Sequence, residues 1–202
     1  MSSPLPLRGA SEPLAACLAA GGVAVFPTDT VYGLCCDPLD AAAVERLYEL
    51  KGRPPRKPAA LLFTALALAL ECLPELGPRT REAARRLLPG PVTLLVPNPK
   101  RRFPLAGGEL LGVRVIDAGL ELPAPALQSS ANIAGGAEAR RLADVPSVIR
   151  DGADLLVDGG ELPGVPSTVV DLGSLETTGR WSVVRVGALG EASLSDLFAN
   201  LD

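Results

Sequence analysis

Short apolar runs, most of them closed by Gly, Pro or a hydroxyl residue, punctuate this chain from end to end. Runs of this length suit strands buried in a sheet and are too short for free-standing helices. Residues 22–27, 59–63, 91–96, 111–116, 126–129, 154–157, 167–172 and 181–186 all read as strands. Helical patterns lie between the early ones. Asp40 is placed to cap a helix over 41–50, with Val44, Leu47 and Tyr48 on one face. A helix over 65–73 is stopped by Pro74, and Thr80 is expected to cap another that buries Ala83, Ala84, Leu87 and Leu88. Residues 145–150 suit a short helix behind Asp144. Ser193 and Asp196 have the spacing of a capping box before Leu194, Leu197, Phe198 and Leu201. Residues 99–108 and 173–179 read as exposed loops, and there is no internal repeat. Strands alternate with helices at first and then dominate. The expectation is an α/β fold, a single domain over 1–202 with a mixed β-sheet and flanking helices.

Composition narrows the chemistry. Apolar residues make up 48% of the 202, enough for a sizeable core, but aromatics are only 3%, so Ala, Leu and Val must fill it. A net charge of −4 gives no global attraction to nucleic acid or membrane, and any such contact needs a local basic patch. No apolar run is long enough to span a bilayer, and no basic stretch followed by an apolar one opens the chain, so neither membrane insertion nor a signal peptide is expected. Cys17, Cys35, Cys36 and Cys72 form no C-x-x-C pair and read as apolar thiols of a reducing, cytoplasmic setting. There is no histidine. That removes Ser-His-Asp and Cys-His nucleophiles, His-ligated zinc and the usual neutral-pH base. Catalysis here must rest on charge, positioning, or a carboxylate or lysine.

The standard nucleotide motifs fail. Gly159-Gly-Glu-Leu-Pro-Gly164 has P-loop glycine spacing, but Val165-Pro166 stands where Lys-Ser/Thr is required, and no G-x-G-x-x-G occurs. Lys51-Gly-Arg53-Pro-Pro-Arg56-Lys57 concentrates four cations between a helix and a strand. Such a loop suits a polyphosphate, although taken alone it reads first as a solvated basic loop. Ser129-Ser-Ala-Asn132 follows a strand and offers neutral donors for phosphate oxygens or a hydrated metal, or simply a turn. Pro27-Thr-Asp-Thr-Val-Tyr-Gly33 is hydroxyl-rich and also follows a strand, so a turn serves equally there. Pro166-Ser-Thr-Val-Val-Asp171 also suits an edge strand.

In this order, these segments resemble the YrdC/TsaC family of threonylcarbamoyl-AMP synthases. The resemblance runs through Pro27-Thr-Asp-Thr-Val-Tyr-Gly-Leu34, Leu50-Lys-Gly-Arg-Pro54, Leu88-Pro-Gly-Pro-Val-Thr-Leu94, Gly112-Val-Arg-Val115, Ser129-Ser-Ala-Asn132, Ser167-Thr-Val-Val-Asp171 and Arg185-Val-Gly-Ala188, within about 12–190. It implies a twisted sheet with a concave, locally basic face, and formation of threonylcarbamoyl-AMP and pyrophosphate from L-threonine, bicarbonate and ATP, with Mg²⁺ expected beside the ATP. A separate transferase would then pass the threonylcarbamoyl group to tRNA. The family signature falls on Lys51, Arg53, Ser130 and Asn132 as catalytic and ATP-binding residues, with Lys57 and Arg185 also on ATP. Thr30, Arg114 and Ser167 are expected to face threonine, Arg114 taking its carboxylate. Two other readings are a paralogue that binds double-stranded RNA or nucleotide without synthase activity, and a carbamoyl-transfer module like that of hydrogenase-maturation proteins. Retention of Ser130 and Asn132 argues against the first, and the lack of zinc-finger and acylphosphatase segments against the second. Any RNA or tRNA binding is expected to be weak and salt-sensitive.

Departures from the family pattern carry expectations of their own. Leu61 and Leu62 stand where many relatives have a threonine-binding histidine. The stretch from Arg114 to Ser130 is short, with 118–125 replacing a helix and leaving one wall of the site more open. Val186 replaces a proline, and the chain is expected to be the short form of the family.

Overall fold

The computed structural model describes residues 3–52 and 59–199. Its strands are β1 (Leu5–Pro6), β2 (Ala24–Pro27), β3 (Tyr32–Cys36), β4 (Ala60–Phe63), β5 (Val92–Pro97), β6 (Leu110–Val115), β7 (Ala126–Ser130), β8 (Leu155–Asp158), β9 (Thr168–Asp171) and β10 (Ser182–Arg185). They form one mixed sheet in the order β1-β8-β2-β3-β7-β4-β6-β5-β9-β10. β1/β8, β8/β2, β4/β6 and β5/β9 pair in parallel and the remaining neighbours antiparallel. The helices are α1 (Ser11–Ala19), α2 (Ala41–Leu50), α3 (Leu66–Cys72), α4 (Pro78–Leu87), α5 (Ser147–Gly152), α6 (Leu175–Thr178) and α7 (Glu191–Phe198).

Strand alternation divides the side chains between two faces. On one face Val25, Leu34, Leu61, Leu94, Val113 and Leu127 meet Leu47, Ala83 and Leu194 of the helices in the main core. On the other face a smaller core gathers Leu14 of α1, Phe26, Leu62, Ile116, Leu120 and Leu122. It covers only part of that face. The uncovered part carries the cavity described below.

The helix ends differ in part from expectation. Asp40 caps α2 as expected, its Oδ1 accepting from the amides of Ala42 (2.9 Å) and Ala43 (3.1 Å). Thr80 does not cap α4: the helix starts earlier, at Pro78 behind Gly77, because proline at the first position needs no amide partner. The Thr80 amide instead donates to Glu176 Oε1 of α6 at 2.6 Å, so the expected loop at 173–179 holds a short helix that caps another from outside. Ser193 and Asp196 lie inside α7, which begins after Gly190 and makes no side-chain cap. Asp144 closes a 3₁₀ turn by accepting from the Arg141 amide, and α5 starts after Pro146. α1, β1 and β3 had no counterpart in the sequence reading.

Cys35 and Cys36 are buried and Cys17 and Cys72 half-buried, all as free thiols. Burial pushes Cys35 up, and Cys36 to about 12. No helix among the described residues is long and apolar enough to cross a membrane. Replacing Asp40 by Ala removes the one oxygen that accepts two amide hydrogen bonds at the start of α2 and is expected to cost about 1 kcal/mol. The urea midpoint should fall while the slope of the transition stays unchanged.

Candidate active site

A cavity of about 730 Å³ opens on the partly covered face of the sheet. Its floor is built from alternate residues of neighbouring strands: Ala60 on β4, Gly112 and Arg114 on β6, Gln128 on β7, Thr93 on β5 and Val169 on β9. Small residues keep this floor low. A Cβ at Gly112 would stand 3.2 Å from the Cα and Cβ of Ala60. The walls are the turn after β7 and the stretch that leads through Ser167 into β9, with Arg185 of β10 beside it.

Lys51 follows α2 and is only 2% exposed. It therefore does not sit in a solvated loop, as the basic run suggested. Its ammonium donates to the Ser130 carbonyl, to the Asn132 carbonyl at 2.7 Å and to Asn132 Oδ1 at 3.1 Å. Ser130 Oγ also donates to Asn132 Oδ1 (2.7 Å), and Asn132 Nδ2 donates to the Gly136 carbonyl (2.7 Å). The Ser-Ser-Ala-Asn turn is thus locked from both sides, with the Lys51 charge beneath it. The Ala134 amide donates to the Lys51 carbonyl at 2.9 Å and completes the clasp.

Arg114 is 3% exposed, and its Nη2 serves the β2–β3 turn. It pairs with Asp29 Oδ1 and donates to Thr30 Oγ1 at 2.6 Å. Thr28 Oγ1 organises the same turn, donating to the Val31 carbonyl at 2.6 Å and accepting from the Thr30 and Val31 amides at 3.2 Å. Burial raises the Asp29 pKa against the pull of Arg114. Burial also lowers the Arg114 pKa, an effect Asp29 opposes and Arg185 adds to. Both directions say that desolvation outweighs mutual attraction, as is common for buried pairs. Asp29 Oδ2 and Arg114 Nε are buried with no hydrogen-bond partner among the described residues.

Ser167 Oγ lies 2.9 Å from Thr93 Oγ1, and Arg185 Nη2 donates to the Ser167 carbonyl at 2.7 Å. The exposed Arg185 guanidinium is so held at the cavity edge. Of the residues singled out from sequence, Lys51, Ser130, Asn132, Arg114, Ser167 and Arg185 line one cavity. Thr30 lies behind it, bound to Arg114, and Arg53 and Lys57 fall outside the described residues. Asp29, Gln128, Thr93 and Glu138 were not assigned roles from sequence. Alternation along β5 and β7 was the available signal for Thr93 and Gln128. From the short 118–125 stretch, Leu120 and Leu122 join the smaller core with a fully buried Leu62. Among the described residues no three His, Cys, Asp or Glu side chains converge on a metal position.

The Sua5/YciO/YrdC domain model, described as telomere recombination, matches residues 16–187. The chain belongs to the Sua5/YciO/YrdC family. Within the family it is 39% identical over 175 residues to a threonylcarbamoyl-AMP synthase of Chromohalobacter salexigens, covering 82% of this chain and 94% of that one. It is 37% identical over 185 residues to the synthase of Thiobacillus denitrificans, covering 85% and 96%. The crystal structure of P. abyssi Sua5 complexed with L-threonine superposes with a TM-score of 0.82 at 28% identity. That match takes in 98% of this chain and 61% of the longer Sua5 chain.

Lys51→Ala is expected to do more than remove a charge from the site. It strips an ammonium donor from buried oxygens at Ser130 and Asn132, so stability should fall by about 2 kcal/mol or more along with activity. Chemical denaturation of the variant checks this. Unchanged stability with lost activity would place Lys51 on substrate alone.

Proposed function

We propose that this chain is a threonylcarbamoyl-AMP synthase, a nucleotidyltransferase that converts L-threonine, bicarbonate and ATP to threonylcarbamoyl-AMP and pyrophosphate. The observation that carries this reading is the single cavity that gathers Lys51, Arg114, Arg185, Ser130 and Asn132 on a histidine-free face of the sheet. The synthase names of the two bacterial relatives support it, as does the threonine bound by P. abyssi Sua5.

The chemistry suits these residues. Threonine and bicarbonate combine to a carbamate with loss of water, and a carbamate oxygen attacks the α-phosphorus of ATP while pyrophosphate departs. No proton need be shuttled at phosphorus. The requirement is alignment and neutralisation of growing negative charge. Arg185, with Arg53 and Lys57, supplies cations for the phosphates. Ser130 and the turn it shares with Asn132 supply neutral donors, and the buried Lys51 charge lies under that turn. Arg114 takes the threonine carboxylate through the guanidinium edge not committed to Asp29, while Thr30 steadies it and Ser167 faces the substrate. Mg²⁺ supplies charge neutralisation on the phosphates when bound. The product feeds a separate threonylcarbamoyl transferase acting on tRNA, in the cytoplasm. Weak tRNA or double-stranded RNA contact falls to the same concave face.

Pyrophosphate release is expected to require ATP, threonine and bicarbonate together, and release without threonine would argue against the reading. Arg114→Lys is expected to raise the threonine KM at least about tenfold and leave the ATP KM within about twofold, because lysine cannot reproduce the planar two-bond contact with a carboxylate. Equal losses for both substrates with a lowered melting temperature would make Arg114 a purely structural ion-pair residue.

A further inference from the structure

We propose that Glu138 receives the α-ammonium group of the amino-acid substrate and makes the cavity selective for amino acids over the matching hydroxy acids. This rests on the reading that the cavity binds threonine through Arg114.

The cavity is rich in cations, with Lys51, Arg114 and Arg185 on its lining. Among its described lining residues Glu138 is the one acid. A free amino acid carries a carboxylate and an ammonium group on one carbon, so its site needs a cation and an anion side by side. Guanidinium groups alone would repel the ammonium end. Glu138 is close enough to Arg114 for its charge to oppose the lowering of the Arg114 pKa that burial and Arg185 produce. Its Oε2 is buried and has no hydrogen-bond partner among the described residues. A buried carboxylate oxygen left in that state is costly unless a donor arrives. The backbone around it is anchored: the Gly136 carbonyl accepts from Asn132 Nδ2 at 2.7 Å, and the Ala139 carbonyl accepts from the Tyr32 amide at 3.0 Å. Asp29 is the other acid beside Arg114, but its Oδ1 is committed to Nη2 and it does not line the cavity. Once the amine has become a carbamate N–H it still offers one donor, so Glu138 remains a partner through the reaction.

The test compares binding of L-threonine with that of 2,3-dihydroxybutanoate, which has the same skeleton with hydroxyl in place of ammonium. Calorimetry is run on the wild type, Glu138→Gln and Glu138→Asp, with ATP affinity and melting temperature alongside. The wild type is expected to prefer threonine at least about tenfold. Glu138→Gln, which keeps shape and loses charge, should lose most of that preference through weaker threonine binding. ATP affinity should stay within about twofold and the melting temperature should hold. Glu138→Asp should recover part of the preference. An undiminished preference in Glu138→Gln, in a preparation whose wild type forms the adenylate, overturns this assignment and leaves the synthase reading standing. A shift in ATP or Mg²⁺ affinity without one in threonine also overturns it, in favour of a phosphate-side role. A wild type that neither binds threonine nor forms the adenylate overturns both.

Discussion

A buried ammonium holds this site together. Lys51 ends the helix over Ala41–Leu50, and its Nζ lies among oxygens of Ser130 and Asn132, 79 and 81 residues further along the chain. A lysine removed from water is tolerable only when its donors are met, so burial of the charge and closure of the turn are one event. The turn in turn presents Ser130 Oγ at the cavity and, through Gly136, fixes the stretch that carries Glu138. Two motifs far apart in sequence become one surface through this contact.

The second constraint is the pleat of the sheet. Val113 and Val115 point into the main core, so Gly112 and Arg114 must point the other way. Leu94 does the same for Thr93, and Leu127 for Gln128. A polar floor therefore follows from an apolar core without special machinery. What the fold adds is incomplete cover on that side, where the core around Leu14, Leu62 and Leu120 stops short. The Asp29–Arg114 pair lies at this boundary. Burial raises the acid pKa and lowers the base pKa, so desolvation opposes the attraction within the pair. Its evident service is to hold a guanidinium in one orientation next to the cavity.

Much of this was legible in the sequence. Apolar runs gave the strands from Ala60–Phe63 onward, and Asp40 gave the start of its helix. Tyr32–Cys36 was missed because it is apolar throughout and follows a motif full of turn residues, and it is buried on both faces. Leu5–Pro6 exists only by pairing with Leu155–Asp158, which no local pattern encodes. Thr80 and Ser193 had cap chemistry, but Gly77-Pro78 and Gly190 took the ends, since backbone geometry alone can start a helix. For the site, the family resemblance singled out Arg114, Ser130, Asn132, Ser167 and Arg185, which line one cavity, but not the depth of Lys51, because its burial depends on oxygens brought in from distant Ser130 and Asn132. Glu138 stood in a stretch with no periodic signal, and only the folded cavity marks it.

The most direct measurement is a crystal structure with L-threonine and a non-hydrolysable ATP analogue. The expected result is density for the amino acid between Arg114 and Glu138, with the α-phosphate near Ser130 and Arg185, all on the polar face of the sheet. Ligands bound elsewhere, with this cavity left to solvent, would contradict the assignment of the site.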